Sequence, residues 1–154
     1  MNRKNKKRII HLGWFLFILY LGILTYFLFF SEEYGRTASR DYRYNLVLFA
    51  EIKRFFKYRH ILSTEAFLLN MVGNVIAFIP FGFSIPFLSR KQRKFLNVAF
   101  LSFEFSLVIE MIQLIFKVGS FDVDDLLLNT IGGILGYIIF AISYHIYHRW
   151  YGKK

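Results

Sequence analysis

Residues 106–137 read SLVIEMIQLIFKVGSFDVDDLLLNTIGGILGY, and this stretch decides the fold. Two apolar runs flank a short acidic turn. The first run carries Glu110 and Gln113, and the turn carries Asp122, Asp124 and Asp125. The second run holds Asn129 followed by Gly132, Gly133 and Gly136. Apolar runs of this length are membrane spans, and polar side chains within them are costly unless paired or functional. The stretch therefore predicts two helices of a transmembrane bundle with a polar cluster at their junction.

Reading outward, Phe95–Phe116 forms the third span and Leu126 to about Tyr147 the fourth. Upstream, Phe67–Leu88 is the second span, with Pro80 and Pro86 predicting a kink in its second half. Ile9–Phe30 is an uncharged run of 22 residues. A helix of that length rises about 33 Å, enough to cross the hydrocarbon core. A secretory signal peptide is the competing reading of this first run. The length of the run, and the lack of a small-residue cleavage site at Phe27–Phe30, favour a retained helix. Between the first two spans, residues 46–62 read LVLFAEIKRFFKYRHIL, with Leu48, Phe49, Ile52, Phe55, Phe56 and Arg59 at helix-like spacing. They predict an amphipathic helix at the interface, or a lid over a site. The expected fold class is all-α: an integral membrane bundle of four transmembrane helices with an interfacial amphipathic helix between helices 1 and 2. Its spans fall at about 9–30, 67–88, 95–116 and 126–147, in a single domain over residues 1–154.

Composition agrees with this reading. The 154 residues are 56% hydrophobic and 21% aromatic, which few soluble domains of this length tolerate. The chain has no Cys, so disulfides and Cys-based zinc or redox sites are excluded. His145 and His148 sit at i, i+3 near the end of an apolar run, where an interfacial role outweighs metal binding. The net charge of +10 would suggest nucleic acid in a soluble protein. Here the basic residues flank apolar runs, so they read as topology signals and lipid-headgroup contacts, with no nucleic acid as partner.

Four spans put both termini on one side, together with the RKQRK loop at residues 90–94. That side concentrates 12 of the 20 Lys and Arg residues, while the other spreads 8 over a long connection and the acidic turn. The predicted topology therefore has cytoplasmic N and C termini. In that topology Asn70, Asn74, Glu110, Gln113, Asp125 and Asn129, from three helices, fall near the outer surface with Asp122 and Asp124. Glu104 lies about 120° around its helix from Glu110, on the side of Asn97, and belongs to a separate contact.

Two readings of the cluster stay open. It is a set of helix-to-helix hydrogen bonds with Asp122 or Asp124 capping span four, or it is a ligand or cation site. Carboxylate and amide oxygens suit Mg²⁺, Ca²⁺ or Mn²⁺, although nothing else in the sequence supports a cation there and no cofactor is predicted. Gly132 and Gly136 form a GxxxG, and with Gly133 they predict close helix packing, within the bundle or between two copies.

These pieces, taken in order, resemble the VanZ-like family of small bacterial membrane proteins. The resemblance runs from about Arg43 to Tyr137 and rests on Asn45-Leu46, NMVGNVIAFIPFG at residues 70–82, SLVIEMIQ at 106–113 and FDVDDLLLNTIGG at 121–133. Two departures stand out. Leu48 occupies a position where the family usually has Pro, and Lys117, Val118 and Gly119 stand where an Arg often precedes the acidic turn. The resemblance implies a multi-pass protein of the bacterial cytoplasmic membrane. It also implies a role at the cell envelope, since the founding member is associated with resistance to the lipoglycopeptide teicoplanin.

The expected function is binding or modulating a lipid-linked cell-wall component or a lipoglycopeptide at the outer leaflet. Membrane lipids are expected partners, and Arg36, Arg40, Arg43 and Arg59 are candidate phosphate contacts. The alternative is an enzyme on a lipid-linked envelope substrate, with Glu110 and Asp124 or Asp125 as acid and base. A proton-coupled transporter using Glu104 and Glu110 is a third class.

Overall fold

The computed structural model describes residues 3–30, 42–58, 60 and 64–151. The polar stretch at residues 31–41, with Arg36 and Arg40, lies outside the described residues, as does Arg59. Four long helices make the bundle: α1 (Arg3–Phe30), α3 (Thr64–Leu88), α4 (Phe95–Phe116) and α5 (Val123–Tyr151). A short helix, α2 (Ala50–Tyr58), precedes α3. Each long helix contains a segment long and apolar enough to cross a membrane.

Local chemistry sets the helix ends. A single 3₁₀ turn at Arg90–Gln92 joins α3 to α4. Helix α4 stops where Lys117 adopts a left-handed φ of 57° and its N–H returns to the Gln113 and Leu114 carbonyls. Helix α5 begins at Val123 and continues to Tyr151, beyond the apolar run on both sides, because polar residues at a span's ends prolong the helix without entering hydrocarbon. Helix α3 runs through Pro80 and Pro86 to Leu88.

Helices α3 and α5 pack most extensively, and their contact is backbone to backbone. A Cβ added at Gly132 would collide with the Val75 carbonyl oxygen, and one at Gly136 with the Ile79 carbonyl oxygen. On the next face, a Cβ at Gly133 would strike the Ser102 hydroxyl of α4. Gly82 completes the seam, since its Cβ would overlap the Gly133 carbonyl. The GxxxG thus faces α3 of the same chain. Around this seam, Phe78, Phe81 and Phe105 form an aromatic core, with the Phe81 and Phe105 rings stacked at 4.6 Å. Helix α1 is peripheral. It buries Phe17 and Leu24 against the bundle and donates the Tyr20 hydroxyl to the Ala77 carbonyl at 2.7 Å. Its outer face leaves Leu12, Phe15, Ile18 and Leu19 exposed, which suits lipid.

Two features depart from the sequence reading. Residues Tyr44–Asn45 (β1) and Phe121–Asp122 (β2) pair as a two-residue parallel bridge, Tyr44 opposite Phe121 and Asn45 opposite Asp122. The amphipathic helix also begins at Ala50, later than the apolar pattern from Leu46 predicts. The Asn45 side chain accepts the Val47 N–H at 3.0 Å, and Phe49 holds a left-handed φ of 61°, so residues 46–49 form a turn. Within α2, Ile52 and Phe55 are half-buried, and Phe55 stacks on Phe67 of α3 with ring centroids 4.0 Å apart.

The seam predicts that Gly132→Ala or Gly136→Ala destabilises the bundle by about 1–3 kcal/mol or more through overpacking. Gly22→Ala, where an added Cβ meets nothing within 4 Å among the described residues, serves as the neutral control. Thermal unfolding in detergent of the two sets checks this.

Candidate functional site

The polar residues gather at the end of the bundle where α4 passes into α5, here called the acidic end. Asp122 is its centre. It sits one residue before α5, at the N-cap, and its Oδ1 accepts the Asp124 N–H at 2.8 Å. This satisfies one of the amides that a helix start leaves without an intrahelical partner. The same oxygen accepts the Asn45 amide at 3.1 Å, across 77 residues of chain. Glu110, only 2% exposed on α4, accepts the Asp122 N–H at 3.0 Å through Oε2. One carboxylate therefore holds the backbone of β2, and the next holds both the helix start and β1.

The neighbouring carboxylates bind further segments. Asp124 Oδ1 accepts the Phe49 N–H, which stabilises the left-handed Phe49. For a bulky side chain such a conformation is strained, and it persists where the surroundings hold it. Asp125 Oδ1 accepts the Asn74 amide of α3. Gln113 donates to the Leu28 carbonyl at 3.1 Å, near the end of α1, where carbonyls lack helical donors. Deeper in the bundle, Asn129 donates to the Ser106 hydroxyl at 2.9 Å, while its own Oδ1 is buried without a hydrogen-bond partner among the described residues.

Seven of the eight candidate residues therefore join helices or loops through side-chain hydrogen bonds. Asn70 differs. It is exposed on α3 and lines two spaces at once. The larger is a groove of about 290 Å³ between α1 and α3, walled mainly by Tyr20, Leu24, Phe27, Gly73 and Ala77. The smaller is a crevice of about 30 Å³ against Phe49, Ile52, Asp124 and Asp125. Asn74 also lines the groove and Asp125 the crevice, so their hydrogen bond stands between the two.

Three participants escape the sequence reading of the cluster. Asn45 is visible only as part of a motif, Ser106 only as a face-mate of Glu110, and the Leu28 carbonyl carries no sequence signal. Glu104 is exposed on α4, beside Asn97 and Phe100 and away from the cluster. Arg43 contributes its backbone carbonyl, which accepts the Phe121 N–H at 3.0 Å, and its side chain is exposed. Among the described residues, no group of three or more His, Asp or Glu side chains is arranged to hold a metal ion.

Four apolar helices closed by a polar network at one end define a multi-pass helical membrane protein. The chain belongs to the VanZ/LLP1 family, whose profile matches residues 17–144. Protein VanZ of Enterococcus faecium is 31% identical over 131 residues, which span 83% of this chain and 73% of that relative. No solved structure matches the chain.

The network predicts different outcomes for two substitutions at one position. Glu110→Leu leaves the Asp122 N–H buried without this acceptor and costs about 1–3 kcal/mol. Glu110→Gln keeps an oxygen there and loses less. Unfolding midpoints and protease cleavage at the turn around residues 117–122 report the difference.

Proposed function

We propose that the chain engages an amphiphilic ligand at its acidic end: a lipid-linked cell-wall component, or the acyl tail of a lipoglycopeptide such as teicoplanin. The observation that carries this reading is the double position of Asn70, on an apolar groove and on a crevice bearing Asp124 and Asp125. The lipid part of the ligand lies in the groove between α1 and α3. Its polar part meets Asn70 and the rim of the hydrogen-bonded cluster. Ligand pockets have this character, with apolar walls and a few convergent polar groups. The similarity to Protein VanZ of Enterococcus faecium supports a role at the bacterial envelope. In this reading the acidic end faces outward across the cytoplasmic membrane, because the opposite end concentrates the Lys and Arg residues.

Filling the groove tests the reading without disturbing the seam. An added Cβ at Gly73 meets nothing within 4 Å among the described residues, so Gly73→Leu projects into the groove that Gly73 lines. Expressed in a susceptible strain, the parent chain raises teicoplanin tolerance, and Gly73→Leu lowers it to the empty-vector level while membrane abundance is unchanged. Equal tolerance with and without the parent chain overturns the antibiotic branch. Glu110→Gln separates binding from catalysis, since binding survives the change and acid–base chemistry at Glu110 does not.

Orientation is checked separately. The chain has no Cys, so single substitutions label without background. Ser120→Cys reacts with a membrane-impermeant maleimide in intact cells, and Lys91→Cys reacts only after lysis.

A further inference from the structure

The opposite end of the bundle holds a second groove, of about 350 Å³, bounded by α1, α3 and α5. Its walls are Ile9 and Ile10 of α1, Phe83 and Phe87 of α3, and Phe140 and Tyr144 of α5. Arg90 and Arg93 stand on its border, in the turn between α3 and α4. We propose that this groove binds an anionic phospholipid, with the phosphodiester on Arg93 and Arg90 and an acyl chain against the phenylalanine wall.

Arg93 is built into the site. Its Nε donates to the Pro86 carbonyl at 3.1 Å. Helix α3 ends at Leu88, so that carbonyl has no helical donor and the guanidinium supplies one. The guanidinium carbon lies 4.5 Å from the Tyr144 ring centre and 5.5 Å from that of Phe140. The Tyr137 hydroxyl donates to the Arg93 carbonyl at 3.0 Å and fixes the turn. A residue that served only as a topology signal would satisfy that role anywhere in the loop. This one is clamped at the edge of an apolar groove, with no hydrogen bond from its terminal nitrogens to protein among the described residues.

The charge balance points to an anionic ligand. No Asp or Glu occurs in residues 1–31, 66–103 or 126–154, which supply every wall of the groove. Arg90 and Arg93 make no ion pair with protein among the described residues. A guanidinium beside apolar surface favours a phosphate, which its planar fork can grip with two hydrogen bonds. Basic pockets between transmembrane helices bind anionic headgroups for this reason. The apolar wall next to the arginines selects a lipid over a free phosphate.

Native mass spectrometry of the full chain tests this in mixed micelles with equimolar phosphatidylglycerol and phosphatidylcholine of matched chains. The parent chain retains phosphatidylglycerol preferentially. Arg90→Gln, which removes no hydrogen bond among the described residues, lowers that preference about fivefold, and Arg90→Gln/Arg93→Gln abolishes it. Ser143→Phe, on the groove wall, lowers retention of both lipids while leaving both arginines in place. Millimolar inorganic phosphate does not displace the lipid. Equal retention of the two lipids by the parent, or an unchanged preference in Arg90→Gln, overturns the proposal. Displacement by inorganic phosphate alone overturns the lipid assignment in favour of a free-phosphate site.

Discussion

Helices α3 and α5 meet with backbone against backbone, and the remaining structure depends on that contact. Gly132 and Gly136 set α5 on the carbonyls of Val75 and Ile79, and Gly82 receives the Gly133 carbonyl in return. In lipid there is no hydrophobic drive between helices, so close van der Waals approach and hydrogen bonds must hold the bundle together. Small residues on both helices permit that approach, and it brings Asn74 of α3 within reach of Asp125 at the start of α5. Helix α4 joins the pair where Ser102 faces Gly133, and its Glu110 then reaches β2.

The carboxylates at the acidic end read differently once their partners are known. Glu110, Asp122 and Asp124 each accept a backbone N–H from a segment that would otherwise carry an unpaired amide. A carboxylate is a strong acceptor for such groups, and its charge also suits the positive end of α5. The cluster is therefore a scaffold that ties β1, β2, the turn before α2 and all four spans into one surface. That surface borders the groove between α1 and α3, and the ligand-binding reading rests on the groove and on Asn70 (not on the carboxylates).

The two ends of the bundle are built on opposite charge logic. At the acidic end, carboxylates accept hydrogen bonds from backbone and side-chain amides within the chain. At the other end, Arg93 is anchored by a carbonyl and two aromatic rings, and the segments that wall its groove, within residues 1–31, 66–103 and 126–154, contain no carboxylate to balance it. One end engages its carboxylates in hydrogen bonds inside the chain, and the other leaves a cation at the edge of an apolar groove.

By itself the sequence determined the four spans, because apolar runs of membrane length announce themselves and lysines bracket the third at residues 94 and 117. It also marked most of the polar cluster, since carboxylates and amides stand out in apolar helices. Tertiary structure decided how those residues are used. Asn45 and Asp122 are 77 residues apart, and no local period connects them. The turn at residues 46–49 overrode an apolar pattern because Asn45 and Asp124 capture its amides. Gly82 and Ser102 became seam residues only when α5 lay against them. Arg93 looked like one of four basic residues in the 90–94 loop until the end of α3 offered it an unpaired carbonyl. Spans follow from composition along the chain, whereas partners follow from which unsatisfied groups the packed helices bring within hydrogen-bond distance.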